Sequence, residues 1–357
     1  MPIDAANTTL QPQALTRFIG DLFEAAGFSP RASSVVAEAL VDADLSGIPS
    51  HGVMLVPMYL ERVRAGSVSR REVARVVSDE ETSIVLDAEN ALGQLTAAQA
   101  ASLASERAEV HGVAAVAVRN AFHFGTAGRW AQQMAHAGCI GIAMSNTRPL
   151  MPAPGGAQRV VGNNPMAIAM PSSDGIPILL DMAMSASAMG KIRLAQGAGR
   201  EIPTGWATDA EGVPTTDPAA AIAGMLLPAG GPKGFGLAFM IDLLCGGLSG
   251  GAVGDAVRPL YGDAATPYGC AHFFLALDPQ RFLPGKLFAG ISTTFADKVR
   301  QSTKAAGTER IYSPGELSWQ IAENHRMHCP VATDVAAQLC ALGRASSVVI
   351  PEAWQQL

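Results

Sequence analysis

Apolar positions recur at helical spacing through the first sixty residues of the chain. Leu15, Phe18, Ile19, Leu22 and Phe23 form one stripe, closed by Gly27 and Pro30. Val35, Val36, Ala39, Leu40 and Ala43 form a second, closed by Gly47 and Pro49. A third helix is expected from Ser50, with Val56, Tyr59, Leu60 and Val63 on one face. No strand pattern precedes Ser83 to Leu86, so residues 1–80 read as a helical module. The pattern then alternates. An alanine-rich helix over 96–110 precedes the strand Val113 to Val118, and a helix from Ala127 to Ala137 precedes the strand Ile140 to Met144. Ala167 to Met170, Ile178 to Leu180 (the end of an apolar run from Ile176) and His272 to Leu277 read as further strands. This alternation predicts an α/β sheet domain over 81–317. The turn-rich segment from Gly205 to Pro218 is expected to be a surface excursion. Residues 333–343 and the tail are helical again, which places 318–357 with the N-terminal helices.

Composition sharpens this picture. Hydrophobic residues make up 48% of the 357 and charged ones 16%, which predicts extensive burial and a large subunit interface. The formal net charge of -6, with no basic run longer than Arg70-Arg71, argues against a nucleic-acid partner. Five cysteines are odd in number and widely spaced, which argues against a disulfide framework. The opening MPIDAANTTL lacks a basic n-region and an apolar h-region, so no signal peptide and a cytoplasmic location are expected. Gly234 to Val253 is the one apolar membrane suspect, but Asp242 and six glycines interrupt it, so a buried helix is expected instead.

Several segments could carry chemistry. In Ser50-His51-Gly52 the histidine could move a proton with the neighbouring hydroxyl orienting it, or Ser50 could simply cap a helix. His123, between Phe122 and Phe124, follows the Val113–Val118 strand, where α/β proteins place ligands; the alternative is a histidine packed between two phenylalanines. Gly125-Thr126-Ala127-Gly128 opens a helix whose amides could face an anion. Asp181, after the run from Ile176, either caps a turn or supports a histidine. The GGPKGFG segment at Gly230 carries Lys233 among glycines, which suits a phosphate, yet it lacks the ending of a nucleoside-triphosphate loop, and no GxGxxG follows an early strand. His325, His328 and Cys329 have metal-like spacing without a carboxylate or CxxC partner, so no metal site is expected.

Taken together, SHGV at Ser50, HFG at His123, GNNPMA at Gly162, LDMAMS at Leu180, MGK at Met189, IPTGWATDAEGVPTTDP at Ile202 and GGPKGFGL at Gly230 resemble the type-2 malate/L-lactate dehydrogenase family. That family includes ureidoglycolate, diketogulonate, sulfolactate and cyclic-imine (piperideine- and pyrroline-2-carboxylate) enzymes. The resemblance spans about residues 15–320. It implies a hydride-transfer enzyme with NAD or NADP on a non-Rossmann mixed sheet, a helical domain built from both chain ends, and an intertwined homodimer. It also implies that Ser50, His51 and Asp181 form a proton relay and that His123 is a second acid–base histidine. Phe124, Gly125, Thr126, Ala127, Thr147, Asp181, Met182, Ala183, Lys233, and Gly315 with Glu316 in YSPGE match cofactor-contact positions. The family commonly has an arginine three residues after the position of Gly52. This chain has Leu55, and Arg148 is the candidate replacement for gripping the substrate carboxylate; otherwise it is a surface arginine. The implied reaction interconverts a 2-hydroxy acid and a 2-oxo acid of malate, lactate or sulfolactate type, with His51 as acid or base. The alternatives are reduction of a cyclic 2-imino acid and a non-catalytic dinucleotide-binding protein.

Overall fold

The first two stripes bury as the periodicity dictates: Leu15, Phe18, Ile19, Leu22 and Phe23 of α1 (Pro12–Ala25) face Val36, Ala39 and Leu40 of α2 (Pro30–Leu45). Ser29 caps α2 by accepting the Ala32 N–H. The computed structural model describes residues 7–283, 285 and 287–357. Residues 1–6, part of the stretch read for a signal peptide, lie outside it.

A strand precedes these helices, contrary to expectation. β1 (Asn7–Leu10) pairs antiparallel with Cys329–Ala332 near the other end of the chain, and four residues are too few to show an alternation. The third helix also begins later than expected. Two tight turns, Pro49–His51 and Val53–Leu55, come before α3 (Val56–Ala65), because Gly52 is extended between them.

The central sheet uses seven strands. β2 (Arg75–Glu80) and β3 (Ser83–Asp87) form a hairpin; β2 lies almost wholly in solvent and so carries no burial alternation to read. α4 (Gly93–His111), β4 (Val113–Ala121), α5 (Ala127–His136) and β5 (Ile140–Ser145) follow close to the expected ranges. After the short hairpin β6 (Met151–Pro152) and β7 (Arg159–Val161) come β8 (Met166–Met170), β9 (Ile178–Met182) and α6 (Met189–Gly197). The segment expected to be a surface excursion is largely exposed or half-buried, and it carries a short hairpin of its own. β10 (Ala207–Thr208) pairs with β11 (Pro214–Thr215) and, beyond α7 (Pro218–Ala223), with β12 (Met225–Leu226), and Ala207 and Thr208 are buried. α8 (Pro232–Asp242), β13 (Cys270–Leu277), α9 (Leu287–Arg300), α10 (Glu316–Asn324), β14 (Cys329–Ala332) and α11 (Thr333–Ala345) complete the chain.

Strand order is β2-β3-β4-β13-β5-β8-β9, with only β3 and β4 parallel neighbours. It is a mixed sheet. The consequence is positional: the carboxyl ends of β3, β4, β5 and β9 and the amino ends of β13 and β8 share one edge. α4 and α5 cover one face; α8 and its continuation pack against β13, β4 and β5. That continuation corrects the expectation of a buried helix. α8 passes into a π-turn at Leu243–Gly247, with Ala238, Ile241 and Cys245 inward but Leu237, Phe239, Met240, Leu243 and Leu248 exposed. Among the described residues no helix is long and apolar enough to cross a membrane.

Candidate active site

His51 stands at the turn before Gly52. Its Nδ1 is 3.0 Å from the Ser50 hydroxyl, so Nε2 is the nitrogen left for a ligand. Asp44, a buried residue of α2, fixes this turn: Oδ2 accepts the Val53 N–H at 2.7 Å, and a Cβ on Gly52 would lie 2.3 Å from the Asp44 carboxyl. Burial pushes that carboxyl up to about 7, against the pull of the Val53 N–H. Partial withdrawal from water lowers the His51 pKa from 6.5.

His123 follows the end of β4 and comes within 5.4 Å of His51, ring centroid to centroid, at 32°. It is not the histidine clasped between phenylalanines; that packing belongs to His272, which stacks on Phe124 at 4.3 Å. The Tyr59 hydroxyl holds His123 Nδ1 at 2.6 Å and also receives Gln94 Nε2 at 3.1 Å. So in both histidines Nδ1 is tethered, and Nε2 has no hydrogen-bond partner among the described residues. Burial first, then the neighbouring His51 and His272, lowers the His123 pKa well below 6.5. Removing the Tyr59 hydroxyl would orphan Nδ1 in a largely buried setting. Tyr59→Phe is therefore expected to reduce kcat/KM roughly tenfold, from about 1–3 kcal/mol of unmade hydrogen bonding. Unaltered steady-state kinetics in that variant would show that the hydroxyl does not orient His123.

Asp181 lies within β9, at the outer edge of the sheet, and keeps an exposed face. Its Oδ2 accepts the Gly128 N–H of α5 at 2.9 Å. The anion at the start of α5 is thus the chain's own carboxylate, and a Cβ on Gly128 would stand 2.6 Å from it. The protein packed around Asp181 pushes its carboxyl up to about 6, with the Gly128 N–H opposing. No hydrogen bond or ion pair joins Asp181 to His51 among the described residues; Ser50 occupies the His51 Nδ1 instead.

Of the remaining cofactor-matched residues, those of the Phe124 turn and Thr147 lie at the carboxyl ends of β4 and β5, whereas Gly315 and Glu316 pack against the amino-terminal half of β9. Phe124 and Ala127 are buried around the turn, Thr126 precedes α5, and Gly125 (φ 83) has open space where a Cβ would stand. Thr147, just past β5, donates its N–H to Asn164 Oδ1 at 2.9 Å and its hydroxyl to Asn163 Oδ1 at 3.0 Å. Beyond Met182 and Ala183 the chain is tied across: Met184 N–H donates to Asn163 O, and Ala229 N–H to Met184 O, each at 2.8 Å. This brings Lys233, in the first turn of α8, beside Gly230 and Gly231 (φ 62 and 63), both with open space at the Cβ position. The Lys233 ammonium has no hydrogen bond or ion pair among the described residues. Gly315 (φ 85) seats the YSPGE loop against β9, where a Cβ would come within 2.8 Å of Leu179. The Glu316 carboxylate turns inward. Burial alone would raise its pKa, but Arg300 at 2.8 Å, the Ser313 N–H and Arg310 outweigh this and hold it at about 2. Bare glycine backbone, an unpaired lysine and a clamped threonine along one edge fit a large, flat, phosphate-bearing ligand such as a nicotinamide dinucleotide.

Four residues outside the sequence expectations complete the frame: Asp44, Tyr59, Gln94 and Asn146. Asn146 bonds Asp242, Ala252 and Ala271 at 2.7–2.8 Å and so joins β5, β13 and α8. Tyr59 was legible only as an apolar helical position. The His325 to Cys329 segment is spent elsewhere: His325 Nδ1 donates to Leu45 O, and Cys329 is buried in β14. All five cysteines are free and buried.

A family model described as malate/L-lactate dehydrogenase matches residues 10–340. Ureidoglycolate dehydrogenase (NAD(+)) of Escherichia coli K12 is 37% identical over 291 residues, 82% of this chain and 83% of that protein. (2R)-3-sulfolactate dehydrogenase (NADP(+)) of Chromohalobacter salexigens is 38% identical over 265 residues, 74% and 79% of the two chains. The solved sulfolactate dehydrogenase of Methanocaldococcus jannaschii superposes with a TM-score of 0.91 at 32% identity, covering 96% of this chain and 98% of that one.

Proposed function

The chain belongs to the malate/L-lactate dehydrogenase family, and from that membership we propose that it interconverts a 2-hydroxy acid and its 2-oxo acid with His51 as the acid–base group. It is an NAD(P)-dependent dehydrogenase, as its relatives are. The observation that carries the reaction is the pair of histidines 5.4 Å apart, each tethered at Nδ1, beside an edge of open glycine backbone.

When bound, the nicotinamide supplies or accepts a hydride at the substrate's second carbon. The chain's own task is the proton. His51 Nε2 takes the hydroxyl proton in oxidation and returns it to the developing oxyanion in reduction, while Ser50 holds the ring's orientation. His123, whose ring lies 5.4 Å from that of His51, would face the same substrate group and is kept neutral by burial. Asp181 anchors the first turn of α5 and places a carboxyl at the cofactor edge. Lys233 and the glycine turn before it would hold the cofactor's phosphate, and Thr147 with the Met182–Ala183 backbone would contact its nicotinamide end. The apolar faces of α8 and of α9 (Leu287, Ile291, Phe295), exposed in the single chain, support a homodimer. The five unpaired cysteines support a cytoplasmic setting.

The reading is tested with oxaloacetate, pyruvate, sulfopyruvate and piperideine-2-carboxylate, each assayed with NADH and NADPH. Reduction of a 2-oxo acid is expected; turnover of the imine alone, or of nothing, would refute the reaction. The pH dependence has a definite sign. A His51 pKa below 6.5 leaves the free enzyme with a neutral base at neutral pH. kcat/KM for oxidation should therefore rise through that pKa and level off by about pH 7, while kcat/KM for reduction falls over the same range as the acid form disappears. An oxidation limb centred well above pH 7 would contradict this assignment.

A further inference from the structure

Gln94, Tyr59 and His123 form one chain of hydrogen bonds along which the protons can be counted. Tyr59 is wholly buried, and burial raises its pKa, so the phenol keeps its single proton. Its oxygen receives the Gln94 Nε2–H at 3.1 Å. The phenol proton then goes to a second partner. Two acceptors lie within reach, His123 Nδ1 at 2.6 Å and the His123 carbonyl at 3.4 Å, and the ring nitrogen is much the closer. Nδ1 is therefore an acceptor, and a neutral His123 carries its proton on Nε2. Burial, then the neighbouring His51 and His272, disfavours the cation. Gln94 itself is fully buried in the first turn of α4, where Gly93 lets the helix approach the backbone of Phe122 and His123. Its Oε1 has no partner among the described residues. Reversing that amide would present Oε1 to Tyr59, turn every proton in the chain round and leave His123 Nε2 bare. One amide thus sets the tautomer.

His51 is held differently. Its Nδ1 meets only the hydroxyl of an exposed Ser50, which can donate or accept, so this ring is able to gain and lose a proton. Arg148, half-buried past the end of β5 and without a hydrogen bond or ion pair among the described residues, stays the candidate for the substrate's carboxylate. The two rings, 5.4 Å apart, are left for the oxygen that reacts. As a hydroxyl that oxygen gives up one proton and accepts a hydrogen bond; as a carbonyl it only accepts. Resting on the reaction proposed above, we infer that Gln94 and Tyr59 fix His123 as an Nε2–H donor to the substrate oxygen, leaving the proton transfer to His51. In oxidation the hydroxyl proton passes to His51 Nε2 as hydride leaves the carbon for the nicotinamide. The His123 proton stays on Nε2, and its hydrogen bond tightens as negative charge builds on the oxygen. Tyr59 and Gln94 are positioning residues in this scheme.

The test reads the tautomer directly, by NMR of the ring nitrogens in protein carrying isotope-labelled histidine, with His123→Gln identifying the signals. His123 should show a protonated Nε2 and a bare Nδ1, unchanged from about pH 6 to pH 10. Gln94→Glu, nearly isosteric, should reverse that tautomer as its carboxyl ionises, because a carboxylate takes the Tyr59 proton; a merely structural role for Gln94 predicts no reversal. In kinetics, His123→Leu should lower kcat for the best 2-hydroxy acid about 10²–10³-fold, the range for loss of one donor to an oxyanion. His123→Gln, which keeps an N–H but cannot take a proton, should recover to within about tenfold of the parent. A proton on Nδ1, an imidazolium within that pH range, a tautomer indifferent to Gln94→Glu, or His123→Gln as impaired as His123→Leu would overturn the inference while sparing the proposed reaction. A parent that turns over no 2-hydroxy or 2-oxo acid would remove the reaction, and with it the role of His123 at the substrate, whatever the spectrum shows.

Discussion

Replacing His51 with alanine is expected to cut kcat/KM for oxidation of the best 2-hydroxy acid by about 10²–10⁴-fold, the range for loss of a positioned general base. Folding should be spared. His51 contributes one side-chain hydrogen bond, to an exposed Ser50, and stands outside the core, so the melting temperature should stay near that of the parent. The loss should also erase the acidic limb of the pH profile. Ser50→Ala is expected to be milder, roughly three- to tenfold, because a net hydrogen bond of about 0.5–1.5 kcal/mol orients the ring without carrying the proton. If His51→Ala turned over at the parent rate, the proton would have to move elsewhere. His123, whose Nε2 also lacks a hydrogen-bond partner among the described residues, would then be the group to vary next.

Gly93→Ala should damage both stability and catalysis. Gly93 opens α4, and a Cβ there would lie 2.1 Å from the Phe122 carbonyl oxygen and 2.6 Å from the His123 carbonyl. Both obstacles are backbone, so no side chain can swing aside. Either the start of α4 retreats, or the connection carrying His123 is pushed off its bond to Tyr59. Overpacking of this kind costs about 1–3 kcal/mol. Displacing His123 adds a fall in kcat of an order of magnitude or more, since misplacement by about an ångström can cost as much as 100-fold. Gly20 is the control: it lies within α1, at ordinary φ, with nothing within 4 Å of a Cβ. Gly20→Ala should be neutral or stabilising by roughly 0.4–1 kcal/mol. Equal tolerance at both positions would mean that the close approach of α4 to His123 has no energetic weight.

Periodicity alone determined the helices α1 and α2 and the strands β4, β5, β8 and β13, because each is long enough for one face to bury and repeat. The order of local motifs was enough to nominate His51, His123, Asp181 and Lys233, since chemistry that depends on a residue type and its immediate turn is written locally. What the sequence could not reveal depends on pairing between distant segments. β1 meets β14 across more than three hundred residues, and β2 lies at an exposed edge without a buried face to signal it. Tyr59 reads as one more apolar position on a helix until the fold sets its hydroxyl against His123, sixty-four residues away. The assignment of the stacked histidine to His272 and the pairing of Asp181 with Gly128 instead of His51 are tertiary outcomes of the same kind. Local sequence specifies which groups a segment offers. Strand order and register decide which groups meet, because those depend on burial summed over the whole chain.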